Sequence, residues 1–178
     1  MSDLVRNIFR FILFILIQVF VLDKIPHLHR YIVPYIYFLF ILWLPHATPR
    51  ITLLIIAFAT GLSLDYFKMT PGLHAASCVL IAYIRPFVIT ILSPKDITEF
   101  SHREPSPKGM GWSPYLVYAF TLTLLHHTYL VILEWLQFGD LLHFLIKVLA
   151  TTAISMLLII TVELLFPRKM KYRTNTAN

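Results

Sequence analysis

Six apolar runs, separated by short polar breaks, organise this 178-residue chain. The first is "IFRFILFILIQVFVL", Ile8 to Leu22, and the second "YIVPYIYFLFILWL", Tyr31 to Leu44, extended toward Pro26. The third contains "ITLLIIAFATGLSL", and the fourth opens at His74. A polar stretch, "SPKDITEFSHREPSPKGMGWSP", precedes the last two runs, and the chain closes in "PRKMKYRTNTAN". A membrane-spanning helix needs about 20 mainly apolar residues. The pattern therefore predicts an all-α, polytopic membrane bundle of about six helices, at 8–22, 28–45, 47–67, 74–92, 115–136 and 141–166. These form one membrane domain over 1–178, with a polar loop at 93–114 and a basic tail at 167–178. Arg6 and Arg10 give the first run the look of a signal peptide, yet "VLDKIP" offers no small-residue cleavage site. It is expected to be a retained helix.

Composition removes the soluble alternative. The chain is 58% hydrophobic and only 13% charged, where a soluble domain carries about a quarter charged residues. The net charge of +6 is informative through its placement. With the N-terminus inside, the inner segments hold Arg6, Arg10, Arg50, Lys95, Arg103, Lys108, Arg168, Lys169, Lys171 and Arg173, and the outer loops hold only Lys24, Arg30 and Lys68. By the positive-inside rule both termini are cytoplasmic, which requires an even number of spans. Trp43, Trp112 and Trp135 fall near helix ends, as interfacial belts do. The basic tail then lies near anionic lipid headgroups. Nucleic acid is not an expected partner, because the basic residues are spread along the chain without an accompanying motif. Cys78, the single cysteine, excludes an intrachain disulfide and a Cys-rich metal site.

Ionisable groups inside spans are costly and are therefore candidate sites. Arg85 and Glu163 are each expected to snorkel to the cytoplasmic side or to pair with one another. Glu134 and Lys147 flank the short loop "QFGD", so an intramembrane polar pair at similar depth is expected, fixing helix register. His126 and His127 lie near the middle of the fifth span. Adjacent residues on a helix point about 100° apart, which argues against a shared ligand or a simple common proton path. The readings are a metal site, a proton relay, or neutral imidazoles bonded to a neighbouring helix. His27 and His29 form a weak metal signal, no HExxH occurs, and no metal or cofactor is expected. Ala57 and Gly61, and the "ATTAIS" run from Ala150 to Ser155, are small enough for close helix packing.

Asp65 stands out, because its short side chain cannot snorkel as lysine does. Lys68, three residues on, is in place to pair with it. Pro71 and Gly72 then allow a tight turn. An acid facing headgroup water at a helix end is one reading of Asp65. The segment offers another, for Gly61, Leu62 and Asp65, followed by Gly72, Leu73, His74, Ala75 and Tyr83, resemble the rod shape-determining protein MreD family. The resemblance is specific over about 25 residues and general in length, span number and basic tail. It implies a non-enzymatic inner-membrane subunit of the bacterial cell-elongation machinery. Its partners would be an MreC-like single-span protein, an MreB-like actin filament and peptidoglycan synthases. The family is also similar in fold to the substrate-binding S components of energy-coupling-factor transporters. On that resemblance Asp65 orders the outer end of the bundle or receives a partner's polar group, with Gly61, Gly72 and His74 in packing, turning and partner binding.

Two other functions compete. An S-component-like subunit taking up a small molecule would gather Asp65, Glu134, His143 and Lys147 into one outward-facing pocket. An intramembrane enzyme would need a spaced nucleophile–base or two-metal pattern, which the sequence lacks.

Overall fold

A computed structural model describes residues 3–25, 33–92, 104–134 and 141–168. The chain is an all-α bundle of membrane type. Among the described residues, five helices are long and apolar enough to cross a bilayer. Helix α1 spans Asp3–Phe20 and continues into a 3-10 turn at Leu22–Lys24. A four-residue α2 covers Leu39–Leu42. Then come α3 (Arg50–Lys68), α4 (Leu73–Leu92), the short α5 (Pro107–Met110), α6 (Trp112–Glu134) and α7 (Leu141–Leu165). In chain order α3 packs on α4, α4 on α6 and α6 on α7, while α1 leans on α3. Large apolar side chains such as Phe9, Leu16, Ile55, Phe87, Leu149 and Leu157 point outward, as lipid-facing positions must.

The second apolar run departs from the expected helix over 28–45. Residues 26–32 lie outside the described residues, as do His27 and His29. From Val33 to Leu44 only α2 is helical. Pro34 explains part of this, since it donates no N–H and disfavours helical geometry in the residue before it. The segment is nevertheless the most enclosed part of the molecule. Tyr37, Phe38, Leu39, Ile41 and Leu42 have no solvent exposure. Non-helical backbone at membrane depth is tolerable only when protein surrounds it and satisfies its hydrogen bonds. Here the helices supply those bonds through side chains. From α1, Gln18 Nε2 donates to the Pro34 carbonyl at 3.0 Å, and its Oε1 accepts from Ile36 N–H at 2.9 Å. From α7, Ser155 Oγ accepts from Tyr35 N–H at 3.2 Å. From α6, the Tyr118 hydroxyl donates to the Leu42 carbonyl at 2.9 Å. From α4, Arg85 donates to the Leu44 carbonyl.

This segment links the two ends of the bundle. At one end Tyr35 packs beneath Lys68, whose Nζ sits 4.6 Å from the ring centre. At the other, Trp43 lies between the guanidinium groups of Arg10 and Arg168. That second end is basic. Glu104 accepts from Arg6 at 3.0 Å and Arg10 at 2.7 Å, and Arg168 lies 3.8 Å away. Glu163 accepts from Trp43 Nε1 at 2.8 Å, and also from Tyr115 and Arg168. The start of α1, the approach to α5 and the exit of α7 therefore meet at one end.

Arg85 and Glu163 differ from their expected roles. Both are buried, at 1% and 4% exposure, where a snorkelling side chain would be exposed at its tip. Arg85 bonds the Leu44 carbonyl and Tyr118, while Glu163 takes Arg168 as its ionic partner. The Leu44 carbonyl at the end of the irregular segment holds the guanidinium. His46, in the turn after this segment, is held down to about 4, first by burial and then by the charge of Arg85. It adds no further positive charge at neutral pH.

A candidate functional site around a buried carboxylate

At the end of the bundle opposite the basic cluster, α3 turns sharply into α4. Met69 closes α3 in the left-handed conformation, at φ 56°. Its N–H and that of Thr70 both reach back to the Asp65 carbonyl. Gly72 follows at φ 86°, a conformation that glycine adopts without steric cost. A methyl group at Gly72 would meet no atom within 4 Å, so only backbone preference demands glycine there. Gly72→Ala is expected to cost about 1 kcal/mol, a fall in melting temperature of about 2–4 °C for a chain of this size. Thermal unfolding of the detergent-solubilised protein measures it. An unchanged midpoint would contradict the positive-φ turn.

Asp65 lies inside this corner at 2% exposure. Its Oδ1 accepts from His74 N–H at 2.9 Å, His74 Nδ1–H at 2.7 Å and the Thr70 hydroxyl at 3.1 Å. Its Oδ2 accepts from Ala75 N–H at 3.0 Å. The first N–H groups of a helix have no partner within it, and a carboxylate there also meets the positive end of the helix dipole. Asp65 thus caps α4 from the neighbouring helix. Gly61 stands one turn before it on the same face. A methyl group there would collide with Ala75 Cα, Ala75 N and the His74 carbonyl oxygen. The pair works jointly: glycine brings the two backbones together, and the carboxylate fastens them.

This geometry separates the sequence candidates. Gly61, Asp65, Gly72 and His74 form one joint between α3 and α4. Lys68 is not part of it, because Asp65 turns inward toward α4 while Lys68 pairs with Asp23 at 3.2 Å. Nor does Asp65 present itself to a partner from outside, since four donors already occupy its oxygens. Glu134 and Lys147 are an ion pair linking α6 and α7, both about one-third exposed. Asp65 belongs to the joint, and Glu134 and Lys147 satisfy each other. The "QFGD" loop, Trp135 and the basic tail beyond Arg168 lie outside the described residues.

His126 and His127 behave differently from the expectation based on their angular separation. Both are fully buried, and their Nδ1 atoms lie 3.3 Å apart. The Cβ directions diverge, but rotation of each ring brings the nitrogens together. His126 Nε2 meets the Tyr37 hydroxyl at 2.8 Å, and His127 Nε2 meets Ser155 Oγ at 3.0 Å. Phe38 stacks on His126 with ring centres 4.5 Å apart. The result is a hydrogen-bonded chain, Tyr37–His126–His127–Ser155, running between the irregular segment, α6 and α7. With neutral rings it is satisfied in either polarity, because each link needs one donor and one acceptor. Among the described residues, no three His, Cys, Asp or Glu side chains are grouped to hold a metal ion.

Gln18, Tyr37 and Tyr118 went unnoticed in the sequence, and Ser155 was read only as a small residue for close packing. One signal pointed to Gln18: an amide in the middle of an uninterrupted apolar run is costly unless bonded. The need for it arises from Pro34 and its neighbours, whose backbone groups require outside partners. Comparison with known proteins identifies no relative: no family model matches the chain, nor does any curated protein or solved structure.

Proposed function

We propose that the chain is a non-catalytic, multi-pass subunit of the bacterial cell-elongation machinery, similar to MreD, seated in the inner membrane with its basic end cytoplasmic. The observation that supports this reading is the α3–α4 joint. Of the residues that carry the resemblance, Gly61, Asp65, Gly72 and His74 meet as one structural unit, with both oxygens of the acid engaged inside it. Such a corner suits a rigid helical platform whose outward apolar faces receive the spans of partners, foremost an MreC-like single-span protein. At the other end, Arg6, Arg10 and Arg168 gather around Glu104 and Arg168 also pairs with Glu163; in this reading the basic residues that follow in the sequence meet anionic lipid or an MreB-like filament.

Two measurements test the proposal. Depleting the protein from the bacterium that encodes it is expected to convert rods into rounded cells. Affinity purification in mild detergent is expected to recover a single-span periplasmic protein. Unaltered rods together with no such partner would refute the scaffold role. Neighbouring genes for an ATPase and a coupling subunit would instead mark an uptake component.

A further inference from the structure

Tyr83 takes no part in the α3–α4 joint. It lies on the outer face of α4 and is 75% exposed. It stands ten residues after Leu73 and nine before Leu92, at the middle of the helix. At about 1.5 Å per residue, α4 matches the roughly 30 Å of a hydrocarbon core. Tyr83 therefore leaves the helix near the bilayer centre, and its ring is too short to carry the hydroxyl from there to the headgroups. Tyrosine favours the membrane interface, where the ring is greasy and the hydroxyl wet. Tyr66, equally exposed, obeys that rule three residues before Met69 at the end of α3. Tyr83 breaks it. Among the described residues nothing bonds its hydroxyl. Other outward hydroxyls satisfy themselves on the carbonyl four residues back, as Ser63, Thr90 and Thr161 do. A hydroxyl at the far end of a ring cannot reach back in this way, and acyl chains offer it no partner.

The neighbours of Tyr83 select what meets it. Ala76, Leu80, Tyr83, Phe87 and Thr90 follow one another along α4 at alternating steps of four and three residues. The first two are half-buried and the other three exposed. This 3.5-residue repeat is the seam along which two parallel helices pack, and Tyr83 is its midpoint. Parallel packing arises directly when two copies of one chain share a membrane. A two-fold axis along the membrane normal sets every residue of one copy at the depth of its twin. The occupant must bring a polar group to the depth of Tyr83, and a second copy does so by symmetry. A phenol hydroxyl both donates and accepts, so one Tyr83 can donate to the other. We propose that this face of α4 is a homodimer seam, closed near the bilayer centre by a hydrogen bond between the two Tyr83 hydroxyls. The contact rests on the membrane fold alone and is independent of the scaffold role.

The test uses the full-length protein, fluorescently labelled and reconstituted in liposomes at a series of lipid dilutions. Single-molecule photobleaching is expected to show two steps at high protein density and one step after dilution. Tyr83→Phe removes only the hydroxyl and is expected to weaken the dimer about 3- to 30-fold, the range of interhelical hydrogen bonds in membranes. Because the side chain is exposed, its melting temperature should match that of wild type. Under mild oxidation Tyr83→Cys is expected to give a disulfide-linked dimer. Leu149→Cys, exposed on α7, is not, and the native Cys78 is buried. One-step bleaching at every density overturns the proposal. So does a Tyr83→Phe dimer as tight as wild type, or a dimer that cross-links through Leu149→Cys and not through Tyr83→Cys. Cross-linking of Tyr83→Cys in native membranes to a different protein would also overturn it, and would assign the face to that protein.

Discussion

Asp65→Ala is expected to be among the most damaging single substitutions in this protein, lowering the melting temperature by about 10 °C. The carboxylate accepts four hydrogen bonds, two of them from the backbone N–H groups of His74 and Ala75. Alanine leaves the His74 and Ala75 N–H groups buried without an acceptor, and leaves the Thr70 hydroxyl and His74 Nδ1, 3.2 Å apart, only one another. Breaking a buried hydrogen-bonded charge costs about 3–5 kcal/mol, a large part of the 5–15 kcal/mol that typically holds a domain together. Asp65→Asn separates charge from geometry. Its one remaining oxygen can face His74 or Ala75, and its NH2 then meets an N–H group, donor against donor. The asparagine variant is therefore expected to fall well short of the wild type despite its matching shape. Thr70→Ala, which removes one of the four bonds to the carboxylate, at 3.1 Å, and a 3.2 Å contact with His74 Nδ1, should be much milder. A melting temperature for Asp65→Ala within 2 °C of wild type would sink the capping role. Any loss of partner association in these variants should follow their thermal stability, because Asp65 acts through the corner it builds.

How far the sequence reveals this corner depends on which contacts are local. The long apolar runs were legible because length and hydropathy suffice to mark a span, and the ends of α3, α4, α6 and α7 fall within three residues of expectation. The Glu134–Lys147 pair was legible because a short loop forces its helices to be antiparallel neighbours. Asp65 was visible as an unusual acid, but its partner was misread. Lys68 is near along the chain, whereas the groups that Asp65 binds become its neighbours only once α4 folds back. Residues 33–44 were the hardest part. A continuous apolar run reads the same whether it forms a lipid-facing helix or an irregular strap inside the bundle. What distinguishes the two is the set of side chains that satisfy its backbone, and Gln18, Arg85, Tyr118 and Ser155 are scattered over more than 130 residues of sequence. Hydropathy has no term for such an arrangement.

Gly61→Ala should test the other half of the joint, and its effect is expected to rival that of Asp65→Ala. In most helices this substitution stabilises by about 1 kcal/mol, since alanine is the better helix former. Here the sign reverses. The added methyl group would enter the backbone of α4 at His74 and Ala75, and backbone atoms cannot swing aside as a flexible side chain can. Relief requires α3 and α4 to separate, at the typical overpacking cost of about 1–3 kcal/mol. That separation would also draw the Ala75 N–H away from Asp65 Oδ2, a bond of 3.0 Å, so the two losses are coupled. Gly61→Ala and Asp65→Ala should consequently be non-additive: the double variant is expected to be scarcely less stable than the worse single one. Thermal unfolding of the four proteins in one detergent measures this cycle. Full additivity would mean that the close approach and the cap are separate features, and a stabilised Gly61→Ala would mean that α3 and α4 do not touch there.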